Sequence, residues 1–357
     1  MGSMTEFQKE EWQALEQGRL WPRFLLFPVM ALLAYVGIVI HGPDGAWWVK
    51  ALWVVATGYC WFCLGGSFHE MAHQTLGQHP RISVWGGRII GTFMIIPYTV
   101  YRETHIRHHA YLNSPRDWEL WPYSDPGASL WFRRLFVWFD VLLGVASAPI
   151  IYGRIGFSRN SPLNARTRRR AYREYAASAA FWGSMVALLV WLSWRGTIDP
   201  VKCIPLWVLP LLVAPAFNTL RKLTEHLGMA SYDPVLGTRT VIGKNQVTRL
   251  CSYFNFEIFV HGPHHRYPRT PHGGLVARLD EFRRERPEVV VPLFSSYRTA
   301  FLEALPWLFR NPGVGVNVGG GGDYGHIGGV DNFVSDVRSE ILRTDVPAES
   351  VADRQAA

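Results

Sequence analysis

Residues 47–73 read WWVKALWVVATGYCWFCLGGSFHEMAH, an apolar run that ends in two histidines four positions apart, His69 and His73. A bilayer core is crossed by about 20 predominantly apolar residues in helical form, and residues 47–66 meet that length, with Lys50 near enough to one end to reach the interface. On a helix, positions i and i+4 share a face, so both imidazoles project together just beyond the span. HIRHH follows at 105–109 (His105, His108, His109), then His226 beside Glu225, then HGPHH at 261–265 (His261, His264, His265). Nine of the thirteen histidines therefore fall in four groups, each next to an apolar stretch. Imidazole is the commonest metal-ligating side chain, and nine exceed what one zinc ion takes. The pattern favours a membrane site for two redox metals.

Composition points the same way. The 357 residues are 48% hydrophobic and only 18% charged, with 16 Trp and 20 Phe; aromatic rings collect at membrane interfaces. The net charge of +8, carried mostly by Arg, suits an anionic lipid surface or an acidic partner. No nucleic-acid motif accompanies it. Four cysteines do not make a disulfide framework, and Cys60 and Cys63 read as small apolar residues one turn apart. Residues 1–20 are polar and mixed in charge, so no secretory signal is expected.

Further candidate spans are residues 21–40, 176–194 and 203–220, the last carrying Pro205, Pro210 and Pro215. Two other apolar stretches, 82–100 and 135–152, are assigned by parity. Histidine groups that share one centre must emerge on one side, so these stretches, the second interrupted by Asp140, are expected to lie in the interface or turn back within it. Arginines are dense between His73 and Tyr175, including Arg133, Arg134 and Arg168–Arg170, whereas the short opposite loops hold only Arg195 and Lys202. By the positive-inside rule both termini and every histidine group face the cytoplasm. The expected fold is an all-α integral membrane protein of about four transmembrane helices, with interfacial helices and a cytoplasmic histidine-rich cap. Its expected parts are an N-terminal cytoplasmic segment (1–20), a membrane domain (21–268) and a cytoplasmic C-terminal region (269–357) with a glycine-dense stretch at 313–330, read as flexible or, alternatively, as a loop packed closely against a site.

HEMAH also satisfies HExxH, in which two histidines bind zinc and the Glu is general base. An intramembrane zinc protease is thus a rival reading, although it needs only one further ligand. HIRHH alone suits a basic interfacial helix; its spacing, repeated at 261–265, argues for ligation. Pro263 places the last group at a helix start or turn. His226 stands alone and rests on its position at the end of a span. Asn113, Asp117, Glu119 and Asn255 flank the groups. Glu70, Asp117 and Glu225 are candidates to accept a hydrogen bond from the second ring nitrogen of a ligating histidine, and Asn255 to donate to a bound water.

HEMAH, HIRHHAYLNSPRD and NFEIFVHGPHHRYP, with RKLTEH at 221–226, resemble the membrane fatty acid desaturase superfamily over residues 69–268. The resemblance implies a cytoplasm-facing di-iron site with His69, His73, His105, His108, His109, His226, His261, His264 and His265 as ligands. It implies dioxygen as co-substrate and desaturation of a long acyl or lipid chain by C–H hydrogen abstraction. Hydroxylation of a lipid, alkane or terpenoid chain is the alternative on the same scaffold. The implied substrate carrier is coenzyme A, acyl carrier protein or a phospholipid. No HPGG haem motif occurs, so electrons are expected from a separate ferredoxin, rubredoxin or cytochrome. Some members have an Asn one turn before the lone histidine that reaches metal through water; Lys222 stands there in this chain.

Overall fold

The computed structural model describes residues 46–75, 80–203, 208–268, 270 and 272–321, with Met30, Leu32, Val36 and Gly37 before them. The segment 1–20, nearly all of the expected span at 21–40, residues 204–207 of the expected span at 203–220, and the chain from 322 lie outside the described residues.

The described chain is mostly helical. In chain order it forms α1 (Trp47–His73), α2 (Pro80–Met94), α3 (Tyr98–Ala110), α4 (Leu130–Leu142), α5 (Gly144–Phe157), α6 (Ala165–Trp194), the single turn α7 (Pro200–Cys203) and α8 (Leu209–His226). Then come α9 (Gln246–Phe254), α10 (His261–Arg266), α11 (Leu275–Glu285) and α12 (Tyr297–Arg310). Two short strands, β1 (Thr240–Val241) and β2 (Leu293–Phe294), pair in parallel, an element the helical reading did not include.

Among the described residues, α1 and α6 are long and apolar enough to cross a membrane. The apolar half of α6 is open, with Val190 63% and Trp194 80% exposed; contiguous apolar surface of this kind marks contact with lipid or protein. The stretch 135–152 is not one straight span. It is divided between α4 and α5, which meet at 119°. Three residues before the break sits Asp140, 1% exposed. Its carboxylate accepts hydrogen bonds from Ser147 Oγ (2.5 Å), Lys222 Nζ (2.8 Å), Tyr123 Oη (3.1 Å) and Thr219 Oγ1 (3.3 Å). A carboxylate so placed must be paired to be tolerated, and Ser147 beyond the bend together with Thr219 and Lys222 of α8 supplies partners. The stretch 82–100 is likewise broken, at Ile95–Pro97 between α2 and α3, where Ile95 takes φ +57°. The expected span at 203–220 continues as α8 to His226, and the charged Arg221, Lys222 and Glu225 occupy its last turns.

Helix α8 lies along α1 at close range. A Cβ on Gly58 would stand 2.5 Å from Val213 Cγ1, so only glycine allows this approach. Phe217 closes the seam against Tyr59 and Phe62, with ring centroids 5.6 and 5.8 Å apart. Helix α3 is fastened to α6 through Glu174, which accepts from Thr99 N and Thr99 Oγ1 (both 2.8 Å) and from Arg88 Nε (3.0 Å). Side-chain oxygens of Ser129 and Asn164 cap α4 and α6 by accepting from Phe132 N and Thr167 N.

The described chain beyond 268 packs onto these helices. Tyr297 Oη donates to Leu220 O (3.4 Å), and Leu308 enters the core. The described start of the glycine-dense stretch is also seated. Val314 N donates to Tyr123 O (3.1 Å) and Gly315 N to Met229 O (2.8 Å), with Gly315 at φ +54°, a conformation glycine adopts without penalty.

Candidate metal centre

All nine histidines singled out by spacing converge in the interior, and each is 7% exposed or less. They form two groups: His69, His73, His105, His109 and His264, and His108, His226, His261 and His265. Within each group one ring nitrogen per residue lies within 4.8 Å of the others. The groups adjoin, for the rings of His109 and His265 stack at 4.2 Å.

Helix geometry explains the division. At about 100° per residue, positions i and i+4 diverge by about 40°, while i+3 falls on the other side of i. On α3, His105 and His109 therefore serve the first group and His108 the second. On α10 the assignment is reversed, with His261 and His265 in the second group and His264 in the first. The last turns of α1 add His69 and His73, and the last residue of α8 adds His226. Two HxxHH segments facing each other thus build two adjacent nests.

The contacts test whether metal ions fit. Nε2 atoms follow one another through His73, His105, His109 and His264 at 3.0, 3.0 and 3.1 Å. In the second group His261 Nε2 lies 2.8 Å from His226 Nε2 and 3.1 Å from His265 Nε2. Donors about 2.1 Å from a shared ion and at right angles to one another stand about 3.0 Å apart. Hydrogen bonding among the rings accounts for only part of the pattern, because one Nε2 lone pair accepts one proton well and His105 and His261 each face two neighbouring Nε2 atoms. His105 Nδ1 donates to Glu119 Oε2 (2.9 Å) and His108 Nδ1 to Asp117 Oδ2 (2.8 Å). His69 Nδ1 donates to Glu70 Oε1 (3.2 Å) and His261 Nδ1 to the carbonyl of Ile258 (3.2 Å). A neutral ring that gives its proton at Nδ1 has only a lone pair at Nε2. His105 and His261 thus present bare lone pairs to two neighbours each, and His69 Nε2 has no hydrogen-bond partner. The donor set fits metal ions.

Electrostatics keeps most of the rings in ligating form. Burial first, and then the charge of neighbouring rings, hold His109, His264 and His265 well below the usual imidazole range. Burial and the Arg221 guanidinium do the same for His261. At His108 burial opposes protonation, but the charge and hydrogen bond of Asp117 outweigh it and the shift is upward. Burial would raise Glu119, yet His105, by charge and hydrogen bond, with His108 and His69, holds it down at about 2. Tyr101 stacks on His105 at 5.3 Å with planes 7° apart, and on Phe68 at 4.4 Å, which fixes the ring.

The flanking residues divide. Glu70 and Asp117 touch ring nitrogens, and Glu70 Oε2 also accepts from Thr75 Oγ1 (2.7 Å). Glu225 accepts from Arg221 Nη1 (2.8 Å), and its Oε2 lies 3.5 Å from His261 Nε2 rather than at a ring Nδ1. Asn255 donates from Nδ2 to Cys251 O (2.9 Å) at the end of α9. Asn113 Nδ2 donates to Ser231 O and Gly237 O, both at 2.8 Å. Lys222 turns to Asp140 and not to the histidines. Sequence reasoning gave no ring partner role to Glu119 or to the Ile258 carbonyl. Glu119 had a signal, a second carboxylate two residues past Asp117; a backbone carbonyl has none.

Residues 45–297 match the family model described as "Fatty acid desaturase". "Omega-3 fatty acid desaturase, chloroplastic" of Glycine max is 23% identical over 270 residues, 70% of this chain and 56% of the relative. "sn-2 acyl-lipid omega-3 desaturase (ferredoxin), chloroplastic" of Arabidopsis thaliana is 23% identical over 268 residues, 70% of this chain and 57% of the relative. The chain spans little more than half the length of these relatives. With the family match covering most of its length, and with buried histidine groups beside apolar helices, the chain belongs to the fatty acid desaturase family.

Proposed function

We propose that the two histidine groups hold two iron ions and that the protein desaturates a long acyl chain of a membrane lipid with dioxygen. The observation that carries this reading is the pair of adjoining nests, five and four imidazoles, with Nε2 atoms about 3 Å apart. Ligand type alone admits zinc, copper or nickel, and oxidative chemistry on an unactivated chain selects a redox metal, of which iron suits the family. Iron, when bound, would supply dioxygen reduction and removal of hydrogen from the chain; two electrons from a donor, two protons from solvent and two hydrogens from the substrate balance one dioxygen reduced to two waters.

The protein's own residues hold, orient and exclude. Asp117, Glu119, Glu70 and the Ile258 carbonyl fix four rings with the lone pair inward, and Tyr101 and Phe68 brace His105. Burial of all nine rings keeps bulk water out, which protects a reactive centre. The sn-2 acyl-lipid named for one relative supports a lipid-borne chain, and the ferredoxin in the same name supports a small iron–sulfur donor. Five arginines within residues 166–173, at the start of α6 and ahead of its apolar half, suit an anionic head group or an acidic donor. In this reading the protein crosses the membrane several times, with the histidines and both termini on the cytoplasmic side and 21–268 as the membrane domain.

The zinc-protease reading loses ground at Glu70. Its carboxylate is held between His69 Nδ1 and Thr75, on the outer side of the ring, where it cannot serve as base to a water on the Nε2 side.

Feeding defined lipids to cells that express the chain, and weighing the products, tests the proposal. Loss of two hydrogens per chain is the expected result. Gain of one oxygen would move the assignment to hydroxylation, and no lipid change across the panel would contradict both.

A further inference from the structure

Glu225 approaches the histidines from the opposite side to every other carboxylate at the centre. Glu70, Asp117 and Glu119 meet their rings at Nδ1. Glu225 Oε2 instead lies 3.5 Å from Nε2 of His261. That nitrogen is the one gathered with His226 Nε2 (2.8 Å) and His265 Nε2 (3.1 Å). The residue is 1% exposed, and its Oε1 has no hydrogen-bond partner. Burying a carboxylate oxygen without a partner is costly unless something cationic stands beside it. Arg221 answers for Oε2 only, at 2.8 Å.

The two groups are also unequal, five imidazoles against four. We infer that Glu225 is the fifth donor of the second group, so that one site is ligated by nitrogen alone and the other by four imidazoles and a carboxylate oxygen. This rests on the proposal that the groups hold metal ions. Lys222, one turn before His226, is committed to Asp140 and takes no part. Arg221 acts as a positioning residue: from one turn away on α8 it fixes the Glu225 carboxylate and offsets its charge. The negative charge makes the second site the better host for the more oxidised metal, so the two ions are electronically distinct before substrate binds.

Protein loaded with iron-57 and purified in detergent, as wild type and as Glu225→Gln, tests this by Mössbauer spectroscopy with iron counted per chain. The wild type is expected to hold two irons as two different doublets. Glutamine keeps the shape but not the charged oxygen, and loss of even an outer partner of a ligand costs about 10- to 100-fold in metal affinity. The variant should therefore lose one doublet and fall towards one iron per chain. The surviving doublet, at its wild-type position, reports that the chain is folded. An unchanged spectrum and iron count would overturn the inference. Where the glutamine variant does not fold, Glu225→Asp decides. A second doublet with altered splitting supports ligation, and a wild-type spectrum contradicts it. A wild type without two irons instead contradicts the proposed function.

Discussion

The first histidine group draws five rings from α1, α3 and α10, while the second draws four from α3, α8 and α10. Both use the i, i+4 pair of one HxxHH segment and the i+3 residue of the other, so their skeletons are nearly exchangeable. Their supports differ. The first is braced by aromatic stacking, Phe68 on Tyr101 on His105, and by Glu70 and Glu119. The second hangs on α8, whose last turns are tied down by charge: Lys222 to Asp140 and Arg221 to Glu225. A helix end carrying four ionisable groups next to a metal nest is the costlier construction, and Asp140, close to the bend between α4 and α5, answers one of its charges.

Several substitutions would break or sharpen this contrast. Removing a ring from either group, by His264→Ala in the first or His108→Ala in the second, should abolish product, a loss of at least about 100-fold if metal ligation is the rings' task. Unchanged product from either variant in lipid-fed cells would show that the two nests do not act together. Lys222→Met leaves Asp140 buried without its cation, which costs about 3–5 kcal/mol. A lowered thermal midpoint in detergent is expected, and a midpoint equal to wild type would mean that α8 is not held by this pair. Glu119→Gln and Asp117→Asn should separate the nests: each weakens the iron of its own group by about 10- to 100-fold, readable as which metal is lost first on titration with a chelator. If both variants lose the same metal first, the assignment of rings to groups is wrong. The smallest effect lies outside the nests. Arg169→Ala with Arg173→Ala should weaken binding of anionic lipid to the detergent-purified protein by about 1 kcal/mol per arginine and leave binding of neutral lipid alone.

The contrast also shows what the sequence made legible. The histidines could be found because ligand spacing and helical period coincide, and because α3 and α10 repeat one pattern. The long apolar helices α1 and α6 were legible from length and composition. The division of rings between the nests was not read, though it follows from 100° per residue once both HxxHH segments are helical. Glu225 was read as a partner for a ring N–H; its actual place beside Nε2 depends on the crossing of α8 and α10, which no local pattern encodes. The packing of residues 311–317 on Tyr123 and Met229 was hidden for a similar reason: glycine-dense sequence permits both looseness and close approach, and only the surface it meets decides.

Metal content of the purified wild-type protein, measured per chain by mass spectrometry of the elements, tests the central claim most directly. Two irons per chain, lost together with product formation when histidines of both groups are replaced, is the result this account predicts. One zinc per chain, or no bound metal in protein that forms product, would contradict it.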